Sequence, residues 1–193
     1  MFDFCVVVGL VTIHATLNLK TQTMNQTDKA PYDSDSKLLE IAKRYESLIR
    51  SQIPSAPTPS EKLETMRKDK EDSDIRLISL RPRNKWFYCV GVGKHARFRQ
   101  DEGKGRFDWF IAARILKKEH HDPALRILEN IETQRRDFFV VKPGDKLCNG
   151  KEFPYLHIFK RYYLRDNPVF SADKIAKDLV WLVAETFPKF AEL

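Results

Sequence analysis

Hydrophobic residues near the start of the chain recur at the spacing of an amphipathic helix. Between residues 36 and 52 they stand three or four positions apart, at Leu38, Ile41, Ala42, Tyr45, Leu48 and Ile49. This period places them on one face of an α-helix, and Pro54 ends the segment. The same period predicts two later helices. One begins at Pro123 with Asp122 as its N-cap, and the other follows the N-cap Ser171 and stops at Pro188.

From Ile75 onward the dominant period becomes two, which is typical of β-strands. The alternating segments are IRLISL, KWFYCVGV, HARFR, RFDWFIAARIL, DFFVVKPGD and YLHIFKRYYL. Gly91 and Gly93 indicate a bend or a β-bulge between the second and third segments. Because most connections between strands are short, we expect them to pair antiparallel. The sequence therefore predicts an α+β fold, with a largely antiparallel sheet of five to six strands and two or three packed helices.

Composition divides the chain into three parts. Residues 1–35 are predicted to be a leader that is disordered, or that lies partly upstream of a true start at Met24. An extra β-strand or a weak anchor are the other interpretations of its short apolar run, Cys5 to Val11. Residues 36–74 combine the amphipathic helix with a charged linker, predicted as a solvated helix or a tether. Residues 75–193 form the α+β domain.

The chain's apolar segments and cysteines bear on its location. The run at the N-terminus is shorter than the roughly 20 residues of a membrane span, and it lacks the cationic start of a secretory signal. The three cysteines are widely spaced, which favours free thiols in a reducing compartment. We therefore expect a soluble cytoplasmic protein that does not engage a membrane.

Positive charge is concentrated in the stretch Arg81 to Phe107. It holds eight Lys or Arg against Asp101 and Glu102, in a chain whose net charge is +7. Aromatic residues alternate with these cations, a combination that attracts nucleic acid. The alternative is that the rings face the core while the cations solvate the other side of the sheet. The predicted nucleic-acid-binding residues are Arg83, Lys85, Trp86, Lys94, Arg97, Phe98, Arg99, Lys104, Arg106 and, if its strand is adjacent, Arg161.

Catalytic chemistry has weaker support in the sequence. Imidazoles and carboxylates occur together at Glu119, His120, His121 and Asp122, and such groups suit a divalent metal. Consecutive residues point in different directions, however, so a polar loop that caps the next helix is the simpler interpretation. The segment Gly91 to Lys94 lacks the ending of a phosphate-binding loop. The sequence thus predicts no cofactor, no metal site and no catalytic residue, with the four-residue cluster as the alternative.

The region from about Arg81 to Leu193 resembles an uncharacterised bacterial domain that is found beside restriction-type nuclease modules. The segments that carry this resemblance are RPRNKWFYCVGVG, RFDWFIAARIL, ALRILENIETQRR, FPYLHIFKRYYL and the closing TFPKF. The resemblance implies an association with DNA-directed defence systems.

These observations together predict a non-catalytic, basic module that associates with nucleic acid, and the resemblance implies a place in a DNA-directed defence or restriction-type system. One alternative is a metal-dependent hydrolase or nuclease. A second is a protein-interaction module that uses the helix at residues 36–52 to contact its partner. The sequence leaves the oligomeric state open.

Overall fold

The chain folds into an antiparallel β-sheet and three α-helices, which a computed structural model describes for residues 34–67, 74–81, 85–94, 107–145, 152–162 and 171–193. The helices are α1 (Ser34–Arg50), α2 (His121–Gln134) and α3 (Ala172–Ala191), with a short 3-10 turn at Lys118–His120. The strands are β1 (Thr58–Pro59), β2 (Glu64–Arg67), β3 (Asp74–Arg81), β4 (Trp86–Lys94), β5 (Phe107–Ile115), β6 (Phe139–Val141) and β7 (Leu156–Tyr162). The predicted α+β class is confirmed.

The strands occupy six positions across the sheet. Their order is β1, β3, β4, β5, β7 and β6. The short strands β1 and β2 both pair with β3: β1 pairs with its end, at Leu80 and Arg81, and β2 pairs with its beginning, from Asp74 to Leu77. Every pairing is antiparallel. The charged segment that the sequence assigned to a solvated helix or a tether therefore contributes β2, because its backbone bonds to β3. The predicted strand HARFR lies outside the described residues.

One face of the sheet packs against the helices. Alternate residues of the central strands join apolar residues of α1, α2 and α3 in one core, as Tyr88 and Ile111 do with Leu38. A buried hydrogen bond of 2.9 Å between the hydroxyls of Tyr88 and Thr186 ties β4 to α3. Burial raises the pKa of Tyr88 well above its usual range, so the phenol stays protonated.

Helix α1 lies inside this core. Its apolar face, which includes Leu38, Ile41 and Tyr45, is buried in the same cluster as the sheet residues. The Tyr45 hydroxyl donates a hydrogen bond of 2.9 Å to the backbone oxygen of Pro57. The apolar face of the helix that the sequence proposed as a partner contact therefore packs within the chain, and Leu38, Tyr45 and Ala56 share a core with the sheet.

The opposite face of the sheet carries a second apolar cluster. It contains Ile75, Leu77, Phe87, Cys89, Phe110, Ala112, Val141, Phe153 and Phe159. Because β5 and its neighbours are buried on both faces, their sequences read as nearly continuous apolar runs. Cys89, in the neighbouring strand β4, is a buried residue of this cluster.

No β-bulge is present at Gly91 to Gly93, contrary to the sequence-based expectation. The pairing of β4 with β5 is continuous from Trp86 opposite Ile115 to Lys94 opposite Phe107. Gly91 is instead covered by the ring of Phe110, the residue opposite it. A glycine in a strand here marks a close approach rather than an extra residue.

Two predicted helix boundaries are also wrong. Helix α2 begins at His121 with His120 at its N-cap, so Asp122 lies in the first turn and does not cap the helix. Helix α3 continues through Pro188 to Ala191. Its last turn is held by Phe190, whose ring lies 5.5 Å from that of Trp86 and 6.3 Å from that of Tyr88. The predicted cap at Ser171 is confirmed, because its side chain accepts a hydrogen bond from the backbone of Lys174.

Within the described part of the chain, none of the helices is both long and apolar enough to cross a membrane.

Candidate nucleic-acid interface

The residues that the sequence proposed for nucleic-acid binding fall at two ends of the sheet. Lys85 and Trp86 stand at the start of β4, whereas Lys94 is its last residue. A nine-residue strand places those ends about 27 Å apart. The basic stretch of the sequence is therefore split in space. The remaining candidates on this stretch lie outside the described residues: Arg83, Arg97, Phe98, Arg99, Lys104 and Arg106.

Trp86 belongs partly to the core. Its side chain is half-buried and packs against Phe190, while the ammonium of Lys85 lies 6.0 Å from the centre of its ring. The ring of Trp86, a predicted nucleic-acid-binding residue, is thus largely packed against other residues of the chain. Trp86 anchors α3 to the sheet and positions Lys85 beside it.

Arg161 lies away from β4, because β5 separates β7 from that strand. It is 8% exposed, and its guanidinium lies 5.1 Å from the ring of Phe159. Nearby, His157 packs against the rings of Phe153 and Phe159, at 4.5 and 5.3 Å. β7 is therefore not next to β4, and the candidates Arg97 and Arg99, to which the sequence joined Arg161, lie outside the described residues.

The structure assembles a different set of cations at the end of the sheet where β4 begins. β3 ends here at Arg81, β5 ends just after Arg114, and the chain continues through Lys117 and Lys118. The backbone N–H of Leu116 donates a hydrogen bond of 2.8 Å to the oxygen of Lys85, which holds these segments side by side. We call this set the basic rim: Arg81, Lys85, Arg114, Lys117 and Lys118.

The basic rim presents its charge to solvent. Arg81, Lys117 and Lys118 are exposed, and Lys85 and Arg114 are half-buried. Lys117 lies 3.8 Å from the carboxylate of Glu119. Arg81, Lys85 and Lys118 form no ion pair with any residue in the described ranges. At Arg81, Lys85 and Lys118 the rim thus carries positive charge that no carboxylate in the described ranges pairs with.

Three aromatic rings surround Arg114 at the inner edge of the rim. Its guanidinium lies 5.1 Å from the centre of the Tyr155 ring, 5.5 Å from that of Phe87 and 5.9 Å from that of Phe153. Tyr155 is 38% exposed and stands immediately before β7. Cation–π contacts of this kind hold both the arginine and the rings in place.

The four residues of the alternative metal site lie at the junction between β5 and α2. Glu119 is exposed on the 3-10 turn, and its own backbone hydrogen bond and then Lys117 lower its pKa. His120 ends the 3-10 turn, His121 begins α2, and Asp122 is exposed in the first turn of that helix. Across the described ranges, no three His, Cys, Asp or Glu side chains come together as metal ligands would. The four residues form a polar junction between strand and helix, but Asp122 does not cap the helix as the simpler interpretation expected.

A second cluster of charged side chains joins β7 to the helices. Lys160 donates to both Asp137 and Asp178, at 2.6 and 2.5 Å, and Arg135 contacts the same two carboxylates. The Tyr162 hydroxyl donates to Asp178 at 2.8 Å, and burial followed by the charge of Asp178 raises the pKa of Tyr162 above its usual range. Two cations thus balance two anions. Such a neutral, saturated cluster is typical of a structural network.

The sequence did not reveal either assembly. The basic rim combines residues from 81–85 with residues from 114–118, and its members Arg114, Lys117 and Lys118 fall outside the basic stretch, as does the neighbouring Tyr155. In the charged cluster, Asp137 is 23 residues from Lys160 and 41 from Asp178. A signal was present only in the alternation of β7, where Lys160 and Tyr162 share a face.

Comparison of the chain with protein-family models, curated proteins and solved structures gives no match.

Proposed function

We propose that this protein is a non-catalytic module that binds nucleic acid through the basic rim. The observation that carries this proposal is the gathering of Arg81, Lys85, Arg114, Lys117 and Lys118 at one end of the sheet. Adjacent strands lie about 4.8 Å apart, so the rim extends over roughly 10 Å from β3 to β5. Cations at this spacing suit contacts with several phosphates of one backbone.

The resemblance of residues 81–193 to a domain found beside restriction-type nuclease modules supports a place in a DNA-directed defence system. In that setting the module would contribute binding, and a separate protein or domain would contribute cleavage. The cysteine pattern favours a cytoplasmic location for it.

The experiment measures binding of labelled DNA and RNA by the full chain over a range of salt concentrations. Phosphate contacts release counterions, so the affinity should fall steeply as salt rises. Replacing Lys117 and Lys118 by alanine removes two contacts and should lower the slope of log K against log salt by about 1.5. A matched variant, K43A/K174A, removes the same charge from exposed positions on α1 and α3, and its slope should stay near that of the wild type.

Two results would contradict the proposal. If binding is absent, or if the affinity does not change with salt concentration, the rim does not contact phosphates. An equal loss in both double variants assigns the effect to net charge rather than to the rim. Incubating the labelled nucleic acid with the protein and Mg²⁺ tests the other half of the proposal, because cleavage would show a catalytic function.

A further inference from the structure

Tyr155 differs from the other aromatic residues in its exposure. Among the Phe, Trp and Tyr side chains whose exposure the structure describes, it is the most exposed, at 38%. The other exposed large apolar side chain in those ranges, Leu39 at 37%, lies on the outer surface of α1. An exposed ring beside a set of cations is the arrangement with which proteins bind unpaired bases.

Contacts with Arg114 and Phe153 hold the Tyr155 ring in place. The guanidinium of Arg114 lies 5.1 Å from its centre, and the ring of Phe153 meets it edge-on at 6.0 Å between centres. Arg114 is anchored in turn by Phe87, at 5.5 Å. Because the ring is already positioned, a base that stacks on it incurs little additional loss of side-chain entropy.

The location of the ring also fits a nucleic-acid strand. Tyr155 immediately precedes β7, whose first residue Leu156 pairs with Ile115 of β5. Lys117 stands two residues after Ile115 in the chain, so it lies at the same end of the sheet as Tyr155. A backbone that contacts the lysines of the rim can therefore place a base near Tyr155. Only an unpaired base has a free face for such stacking, because the bases of a duplex stack on each other.

We propose that the basic rim is a site for single-stranded nucleic acid, in which Tyr155 stacks on a base and Arg114 supports the ring. This inference rests on the proposed function, and it adds the class of nucleic acid. A sequence-independent preference for single strands is expected, since every base has a face on which an aromatic ring can stack.

The test compares full-length wild type, Y155L and Y155F for binding to a single-stranded oligonucleotide and to the duplex of the same sequence. Y155L keeps an apolar side chain but removes the ring, so affinity for the single strand should fall on the order of tenfold. Y155F keeps the ring and should bind as the wild type does. L39A, at an equally exposed apolar position on α1, is the control and should not change the affinity.

The outcomes separate the two proposals. The stacking site is overturned if the wild type binds the single strand and the duplex equally well, or if Y155L binds as the wild type does. Neither result contradicts the proposed phosphate contacts of the rim. Loss of binding in Y155L that is equally large for the duplex also overturns it. Absence of binding to either form in the wild type overturns the proposed function itself, and binding to vesicles of anionic lipid instead would assign the rim to a membrane surface. Thermal unfolding of each variant confirms that it is folded.

Discussion

The ring of Phe110 lies directly over Gly91 on the neighbouring strand. A Cβ at Gly91 would stand 2.4 Å from Cζ and 2.7 Å from Cε1 of that ring, and 2.9 Å from the backbone oxygen of Arg76. These distances are shorter than van der Waals contact, so β4 accepts no side chain at this position. The glycine permits β4 and β5 to pack a large aromatic residue into the second apolar cluster without a break in their pairing.

Replacing Gly91 by alanine should destabilise the protein by about 1–3 kcal/mol, because the added methyl group overpacks the site. The free energy of unfolding in urea measures the effect. In an F110A background the same replacement should cost less, since the ring is gone, although the Arg76 oxygen still limits the relief. Equal costs in the two backgrounds would show that Phe110 does not impose the glycine.

Lys160 should contribute far more to stability than an exposed lysine that has an ion pair of its own. K160M removes one charged donor from the buried carboxylate of Asp178, which keeps Arg135 and Tyr162 as partners, and the expected loss is about 1.5–3 kcal/mol. The matched variant K142M removes a 2.7 Å contact with Glu129 whose two side chains are nearly half exposed, so it should cost less than about 1 kcal/mol. Similar losses in the two variants would contradict a structural role for the buried cluster.

Asp137 should make the stability of this cluster depend on pH. Burial acts to raise the pKa of this carboxyl, but hydrogen bonds from Arg135 and Lys160 outweigh it and hold the pKa below the usual range. A lowered pKa in the folded state means that the ionised form stabilises the fold at neutral pH. The stabilisation is complete well above the ordinary aspartate pKa of about 3.9, and it disappears as the pH falls toward the lowered value.

The variant D137N therefore should be less stable than the wild type at pH 7, by about 1 kcal/mol because the side chain is 46% exposed. The difference should shrink below about pH 4. Unfolding free energies measured for both proteins from pH 7 to pH 3 check this. A difference that stays constant over that range would show that the charge of Asp137 is not responsible.

Sequence patterns located most of the secondary structure because local periodicity reflects burial. The alternation in β5 and the helical spacing in α1 are both visible without knowledge of their neighbours. The errors occur where a distant contact overrides a local preference. Proline at position 188 favours a helix end, but packing of Phe190 against Trp86 keeps the last turn of α3 in place. Gly91 and Gly93 suggested a bulge because the sequence cannot show that Phe110 lies opposite Gly91.

The sequence by itself determined the α+β class, the antiparallel pairing and the presence of a basic, aromatic segment, since each depends on composition or on short-range spacing. Only the tertiary structure decided which cations come together. Lys85 precedes the nine-residue strand β4 and Lys94 ends it, so the two lysines lie at opposite ends of the sheet. Pairing between strands brings Arg81, Arg114 and Lys117 to the end where Lys85 lies. Charge density along a chain and charge density on a surface differ for this reason, because strands carry neighbouring residues apart and register brings distant ones together.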